Sequence, residues 1–240
     1  MEPETQQHLL HDGKKILISR NGHHDYWLGD KDTKNKDMMS SVTKILKPLD
    51  LPFGAGMGWA LKQARLAGGD LEAPRRASKE TQDQGTLLHD AIDSYIKEGI
   101  VNEESSVFVS WLNKVGNHHE WAASEKFCYH PDPKFHYGGT VDALEKYSVI
   151  WDWKTKGESY LEFGPDLKDT AQISAYAAAL RFMGSIYTPS KGFIAYIMRD
   201  GSGCDVVEVD LNEGWKTFEL CHSLYSREKA WREAWKNRGK

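Results

Sequence analysis

The sequence predicts an α/β fold in which a mixed central β-sheet is flanked by helices, with a helical elaboration on its N-terminal side and a short hairpin ahead of that. Three observations predict it. Residues 54–116 carry apolar side chains at helical spacing, residues 122–156 change to the β-branched and aromatic runs of strands, and from 166 onward helix-like and strand-like segments alternate. At 240 residues the chain is long enough for one substantial core with additions. The expected division is a hairpin and polar linker over 1–39 and a single domain over 40–240, made of a helical wall (40–117) and a sheet-bearing core (118–240).

The elements follow in order. KKILIS and DYWLG read as two strands joined by the turn pair Asn21-Gly22, and the polar run DKDTKNKD separates them from the rest. Ser40 or Ser41 caps a short helix through SVTKIL, which Pro48 ends. GMGWALKQARLA is helical up to a break at Gly68-Gly69, and a longer helix runs from about 78 to 98 with Leu88, Ile92, Tyr95 and Ile96 on one face and Gly99 as its stop. A shorter helix over 103–115 carries Val107, Phe108 and Trp111. ASEKFCYH, FHYGGTVDALEKY and SVIWDWKT read as three successive strands of an antiparallel meander. A helix over 166–183 sets Ile173, Tyr176, Ala177 and Leu180 on one side, KGFIAYIMR and CDVVEVDL are strands, and a last helix from 213 to about 235 is expected to pack Trp231 and Trp235 and expose its charges, with a nucleic-acid contact at its basic end as the alternative.

A formal net charge of −4 argues against indiscriminate binding of nucleic acid through a global positive field, while leaving room for a local basic groove. Three cysteines, Cys128, Cys204 and Cys221, form no CxxC pair and suit a reduced compartment. The first fifteen residues hold no apolar signal region, and no run approaches the roughly 18 apolar residues of a membrane span. The expectation is a cytoplasmic protein of a bacterial or phage-infected cell. The adjacent pairs His23-His24 and His118-His119 cannot share a face on a strand or helix and are expected at the surface.

The stretch VIWDWKTKG, residues 149–157, carries the chemistry. Val149, Ile150, Trp151 and Trp153 suit a packed strand, yet Asp152 and Lys154 alternate onto one face of it. A turn centred on Tyr147 sets Asp142 across from Asp152 and Thr140 across from Lys154. Two facing carboxylates repel unless something positive lies between them, and a lysine alongside points to a site for a hard divalent cation. The plainer alternative is a solvated surface hairpin; Gly138-Gly139, which permits close approach of a ligand or a sharp bend, and the apolar setting of Asp152 weigh against it.

The ordered set G-T-L-L-H at 85–89, Glu125, G-G-T-V-D ending at Asp142, D-W-K at 152–154 and Q-I-S-A-Y at 172–176 resembles the RecB-type branch of the PD-(D/E)XK nuclease superfamily. Within it the likeness is to phage-type exonucleases and the mitochondrial genome-maintenance exonuclease, whose early S-V-T is similar to Ser41-Val42-Thr43. The resemblance implies a restriction-endonuclease-like core. It implies Asp142 and Asp152 as metal-binding acids, the backbone carbonyl of Trp153 and His89 as further ligands, and Lys154 as the catalytic lysine that orients or deprotonates water and offsets phosphorane charge. Neutral imidazole among carboxylates favours manganese more than an all-oxygen site does, so Mg²⁺ or Mn²⁺ is the expected cofactor.

For Glu125 the resemblance implies an acid near the metal, with an exposed edge-strand glutamate as the alternative. Gln172 and Tyr176, four apart, share a helix face beside the site, with core packing the alternative for Tyr176. Arg75, Arg76 and Lys79, ahead of the His89 helix, and Thr155 and Lys156, after the catalytic strand, are the candidate DNA contacts. The three cysteines do not match the spacing of the cluster-binding relatives, so no iron–sulfur cluster is expected. No GxxxxGK[ST] is present, so no ATP is either. Trp153 is bulkier than the aliphatic residue common at its position and is expected to pack on the opposite face.

The expected function is a divalent-metal-dependent DNA exonuclease acting on single strands or free ends in DNA processing, recombination or repair, with recombination or replication proteins as partners. Two alternatives stand beside it: a structure-specific endonuclease on the same core, and an inactive nuclease-like DNA-binding accessory protein.

Overall fold

The computed structural model describes residues 3–29, 38–50, 55–115, 119–146, 148–156 and 165–238. The chain opens with three strands, β1 (Glu4–Leu9), β2 (Lys15–Arg20) and β3 (Tyr26–Leu28), paired antiparallel as a small sheet. The sequence reading found β2 and β3 and missed β1, whose ETQQHL has neither apolar alternation nor β-branched content beyond Thr5. The linker segment 30–37 lies outside the described residues. Then come β4 (Ser40–Ser41), the one-turn α1 (Val42–Ile45) capped by the Ser41 hydroxyl, and a 3₁₀ turn (Lys47–Leu49) containing Pro48.

Three helices follow: α2 (Ala55–Leu66), α3 (Ala73–Glu98) and α4 (Glu103–Val115). α3 starts a turn earlier than its apolar spacing shows, because Pro74 sits in its first turn, where a missing N–H costs nothing. Gly99, at φ 72°, ends it as the sequence predicts.

The large sheet comprises β4 and β5 (Trp121–Tyr129), β6 (Tyr137–Glu145), β7 (Val149–Lys156), β8 (Lys191–Met198) and β9 (Cys204–Val209). β5, β6 and β7 form the expected antiparallel meander, while β4–β6 and β7–β8 pair parallel, so the sheet is mixed. α5 (Leu167–Phe182) crosses between β7 and β8, and α6 (Leu211–Lys236) closes the chain.

Helices cover both faces. On one, Leu88 and Ile92 of α3 and Phe108 and Leu112 of α4 pack on Trp151, Trp153 and Ala143. On the other, α5 packs against Ile150, Val141 and Tyr196, with Phe218 and Cys221 of α6 in the same cluster. α5 is buried all round rather than along one side, and its run of alanines lets the sheet and α6 approach it together. Trp153 turns from the Asp152 face and lies 1% exposed with its ring 4.8 Å from Phe108, as alternation requires.

The β6–β7 register matches the expected symmetry, since Ala143 faces Trp151, Leu144 faces Ile150 and Glu145 faces Val149. Tyr147 itself lies outside the described residues. One further step would set Asp142 opposite Asp152, and there the pairing stops. β5 holds one edge of β6 from Gly138 to Glu145, so β4 at Tyr137–Gly138 and β7 from Ala143 onward must share the other. Residues 139–142 are left in a gap between them.

Gly138 and Gly139 stand at the start of that gap. A Cβ on either would run into the rings of Tyr26 and Tyr176 respectively, so the close approach expected of a ligand is taken by two tyrosines. Gly139→Ala is expected to lower stability by about 1–3 kcal/mol through overpacking, whereas Gly58→Ala, with open space around its Cα in α2, is expected to be neutral or stabilising. Urea midpoints of the two variants check this, and equal midpoints would contradict it.

Candidate active site

The gap in β6 pairing creates the site. Where the β6–β7 ladder ends, the Asp142 carboxylate accepts a hydrogen bond from the Trp153 N–H at 2.8 Å, so a side chain replaces the backbone partner that the splayed strands lose. Asp142 is 8% exposed and Asp152 fully buried. Neither acid is solvated enough for its charge to be cheap.

Three side chains converge on the open side. His89, one turn past the middle of α3, brings Nδ1 to 3.6 Å from Asp142 Oδ1 and 3.9 Å from Glu125 Oε1. Its Nε2 lies 3.1 Å from the Trp153 carbonyl oxygen. One ligand atom from each of His89, Glu125 and Asp142 lies within 4.8 Å of the others, which is the spacing of a cation's shared ligands.

Glu125 reaches this point through an unusual backbone. Its φ is +47°, in the left-handed region that non-glycine residues rarely adopt. Gln6 of β1 compensates: its amide donates to the Glu125 carbonyl at 2.7 Å and accepts from the Phe127 N–H at 2.9 Å. The small N-terminal sheet therefore fastens the edge of the large one at the residue whose carboxylate turns into the site. Arg20 of β2 and Tyr26 of β3 add hydrogen bonds of 3.1 and 2.8 Å to the Thr140 hydroxyl, inside the gap. Thr140 thus looks toward the N-terminal sheet and not toward Lys154.

On the α5 side Asp152 makes a second constellation. Lys154 Nζ lies 2.5 Å from its Oδ2, and Gln172 Nε2 donates to its Oδ1 at 3.4 Å and to the Tyr176 hydroxyl at 3.1 Å. Asp169, a turn before Gln172, holds Lys156 at 3.3 Å, and Lys156 also lies over the Tyr196 ring. With both oxygens engaged, Asp152 stands apart from the His89–Glu125–Asp142 cluster, although the resemblance groups it with Asp142.

The electrostatics follow from burial and crowding. Burial pushes the Asp152 carboxyl up to about 7, with Lys154 opposing and Asp142 and Asp169 adding to the rise. Burial would lower Lys154, but Asp152, Asp169 and Asp142 outweigh it and hold the ammonium charged. Burial would likewise lower His89, yet Asp142 and the hydrogen bond to Glu125 raise it to about 9, so at neutral pH it is an imidazolium. Glu125 is raised first by burial, against the pull of His89.

The structure thus brings together His89, Glu125, Asp142, Asp152, Trp153, Lys154, Gln172 and Tyr176. It leaves Arg75, Arg76 and Lys79 apart: they lie on the first turns of α3, roughly 15–20 Å along the helix from His89 at 1.5 Å per residue. Arg76 is also paired with Asp70 at 2.5 Å. Thr155, near the end of β7, lines a cavity of about 570 Å³ together with Gln84 and Arg199. Lys156 meets Asp169 where solvent or a phosphate contact was expected.

Two sequence expectations are overturned outside the site. The His119 side chain is 8% exposed, stacked 5.2 Å from Trp121 with Nδ1 3.0 Å from Glu145, so it belongs to the tryptophan cluster and not the surface. Trp231 and Trp235 are 60% and 58% exposed, where packing was expected. His23 and His24 are exposed as expected, and His118 lies outside the described residues. Sequence reasoning missed Asp169, Gln6 and Arg20. Asp169 had a signal, because it stands three before Gln172 on the same helical face; Gln6 and Arg20 had none.

No family model and no curated protein matches the chain. Among solved structures it is similar to the alkaline exonuclease LHK-Exo from Laribacter hongkongensis, alone and in complex with dAMP, at 13% identity and a TM-score of 0.46 over 84% of this chain and 93% of that one. It is also similar to SSO0001, at 16% identity and a TM-score of 0.40 over 80% and 78%. All three TM-scores fall below 0.5, and the functional reading rests on the site's own geometry. No helix among the described residues is long and apolar enough to cross a membrane.

The raised groups set a pH dependence. His89 and Asp152 both bind protons more tightly folded than unfolded, so each contributes stability present below its unfolded value, about 6.5 or 3.8, and lost as pH rises through about 9 or 7. Buried His8 and His130, lowered to about 3 and about 4 by burial, act in the opposite sense up to about pH 6.5, so the metal-free protein is expected to lose thermal stability between about pH 7 and 9, and His89→Ala to flatten that decline. Calorimetry in chelator across this range checks it; a midpoint rising with pH would contradict it.

Proposed function

We propose that the protein is a divalent-metal-dependent nuclease that hydrolyses phosphodiester bonds in DNA. The observation that carries this reading is the pair of neighbouring constellations: His89, Glu125 and Asp142 within mutual ligand distance, and Lys154 on Asp152 beside them. A structural Asp152–Lys154 ion pair would need neither the two further carboxylates, Glu125 and Asp142, nor a histidine aimed between them.

The donor set fits a hard divalent ion. Two carboxylates and an imidazole converge, the Trp153 carbonyl lies beside the imidazole, and like charges crowd where an added cation relieves repulsion. Asp142, Glu125 and His89 Nδ1 would hold it, with the Trp153 carbonyl at His89 Nε2 fixing the ring. One nitrogen among oxygens suits Mn²⁺ as well as Mg²⁺. When bound, the ion supplies positive charge to a phosphate oxygen and acidifies water.

The chain's own groups do the rest. Lys154 is held as an ammonium by three carboxylates, so it acts as a donor: it orients the attacking water and offsets charge on the phosphorane. Asp152 fixes that ammonium, and Gln172, tied to Tyr176, fixes Asp152. Water oxygen bonds to phosphorus as the P–O3′ bond breaks; the water releases a proton to solvent and the leaving 3′-oxygen takes one up, so a 5′-phosphate and a 3′-hydroxyl result. Exonuclease action on single strands or free ends, in DNA processing, recombination or repair, is the finer reading, and it rests on the motif resemblance.

The test uses end-labelled single-stranded, duplex and closed circular DNA with Mg²⁺, Mn²⁺ or chelator. Cleavage of linear DNA in metal alone is expected, with Lys154→Ala reducing the rate by about 10²–10³-fold and Asp142→Asn abolishing it. Full activity of Lys154→Ala would sink the mechanism. Cleaved circles would turn the reading to an endonuclease, and no cleavage of any substrate to an accessory DNA-binding protein.

A further inference from the structure

The first half of α6 packs on the body of the protein, with Gly214 against Thr170 and Ser174 of α5, Phe218 against Tyr137 and His222 against Phe135. From residue 226 to the helix end every residue is exposed, so about three turns stand clear of the body. On this free half Trp231 and Trp235 stack on each other at 5.6 Å and 23°, and the Arg238 guanidinium lies 4.9 Å from the Trp235 ring centre. Two large aromatic faces are thereby kept in water with nothing among the described residues covering them, although exposing them is costly.

The surroundings are cationic. Between residues 226 and 238 five basic side chains stand against Glu228 and Glu233, in a chain whose net charge is −4. Beside the tryptophans a groove of about 820 Å³ runs between the free half of α6 and the α1 region, lined by five cations, Lys44, Lys47, Lys229, Arg232 and Lys236, against Glu233 and Glu228, the latter paired with Arg232 at 2.5 Å. The cations continue toward the active site. Lys44 pairs with Asp25 at 2.5 Å, and Lys44 and Arg20 both lie close enough to His24 to act on its charge. Arg20 in turn reaches Thr140, two residues before Asp142.

We propose that the free half of α6 is a binding platform for single-stranded DNA, on which bases stack against Trp231 and Trp235 while phosphates follow the basic groove toward the active site. This rests on the nuclease reading for the identity of the strand. Aromatic faces interleaved with lysine and arginine match a single strand in both of its parts, because every base offers a π-face and every link a negative charge. A protein partner or a second copy is the competing occupant, since exposed Leu220 and Leu224 extend the tryptophan stripe along the helix. Such a partner would have to supply acidic groups on both flanks, and this chain's own free helix is basic.

Binding of fluorescein-labelled oligo(dT) of about 20 nucleotides is measured in EDTA, so that metal-dependent cleavage does not consume the probe. The wild type is expected to bind with quenching of tryptophan emission. The double variant Trp231→Ala/Trp235→Ala is expected to bind about tenfold or more weakly, with an unchanged circular dichroism spectrum. Arg232→Glu/Lys236→Glu is expected to weaken binding and to lower the slope of log K against log salt by about 1.4 for two lost phosphate contacts. No binding by the wild type, or wild-type affinity in both variants, would overturn the proposal. So would a wild-type dimer that Trp231→Ala/Trp235→Ala converts to monomer with DNA affinity unchanged, which would make the face an interface between copies. Failure of the nuclease reading shows separately, as a wild type that binds the strand and cleaves nothing in either metal.

Discussion

The repulsion between carboxylates packed into one poorly solvated crevice is the constraint on which the rest of this structure depends. Glu125, Asp142, Asp152 and Asp169 come from three strands and a helix that the fold brings together, and each loses water in doing so. Lys154 and Lys156 answer two of these charges and sit on Asp152 and Asp169. The other two, Glu125 and Asp142, face His89, which holds its proton far above the usual imidazole range. The protonated ring carries the positive charge that those two acids require, at the place where the geometry best accommodates a cation. A divalent ion bound there, as proposed, would compete with that proton for one electrostatic vacancy.

That constraint also accounts for the shape of the sheet. An unbroken β6–β7 ladder would press Asp142 directly against Asp152, the least favourable cross-strand pair. Instead the ladder ends one residue earlier, the Trp153 amide turns to the Asp142 side chain, and tyrosine rings fill the space over Gly138 and Gly139. At the other edge Glu125 adopts a left-handed backbone that costs of order 1 kcal/mol or more, held by Gln6 from a sheet almost 120 residues away in sequence. The N-terminal sheet is thus part of the site's support.

Local chemistry was legible in the sequence, and distant support was not. The β6–β7 register followed from symmetry about Tyr147, although the ladder ends one step short of pairing Asp142 with Asp152, and the opposite facing of Trp153 followed from alternation, because both are properties of one hairpin. His89 was drawn to the site by its motif, since nothing in its helical neighbours distinguishes a ligand from a core histidine. Gln6 and Arg20 could not be found: β1 has no strand pattern, and their partners, Glu125, Phe127 and Thr140, are fixed only by how two sheets dock. The Trp231–Trp235 spacing identified one helical face correctly. It could not tell that the body of the protein ends at about residue 225, which alone decides whether that face is covered or bare.

The same crowding decides the role of the lysine. A lysine serves as a base when burial strips its proton, which requires an apolar pocket or a neighbouring cation. Lys154 has the burial, yet Asp152 at 2.5 Å and the fields of Asp169 and Asp142 override it. Removing its proton would leave Asp152 uncompensated in a buried position, so deprotonation costs the pair and not the lysine alone. In the proposed reaction a group so held would give hydrogen bonds and positive charge at a fixed point and would not serve as the base. The acid that makes Lys154 a poor base is the one that makes it a well-placed donor, which is why the two alternate onto one face of β7.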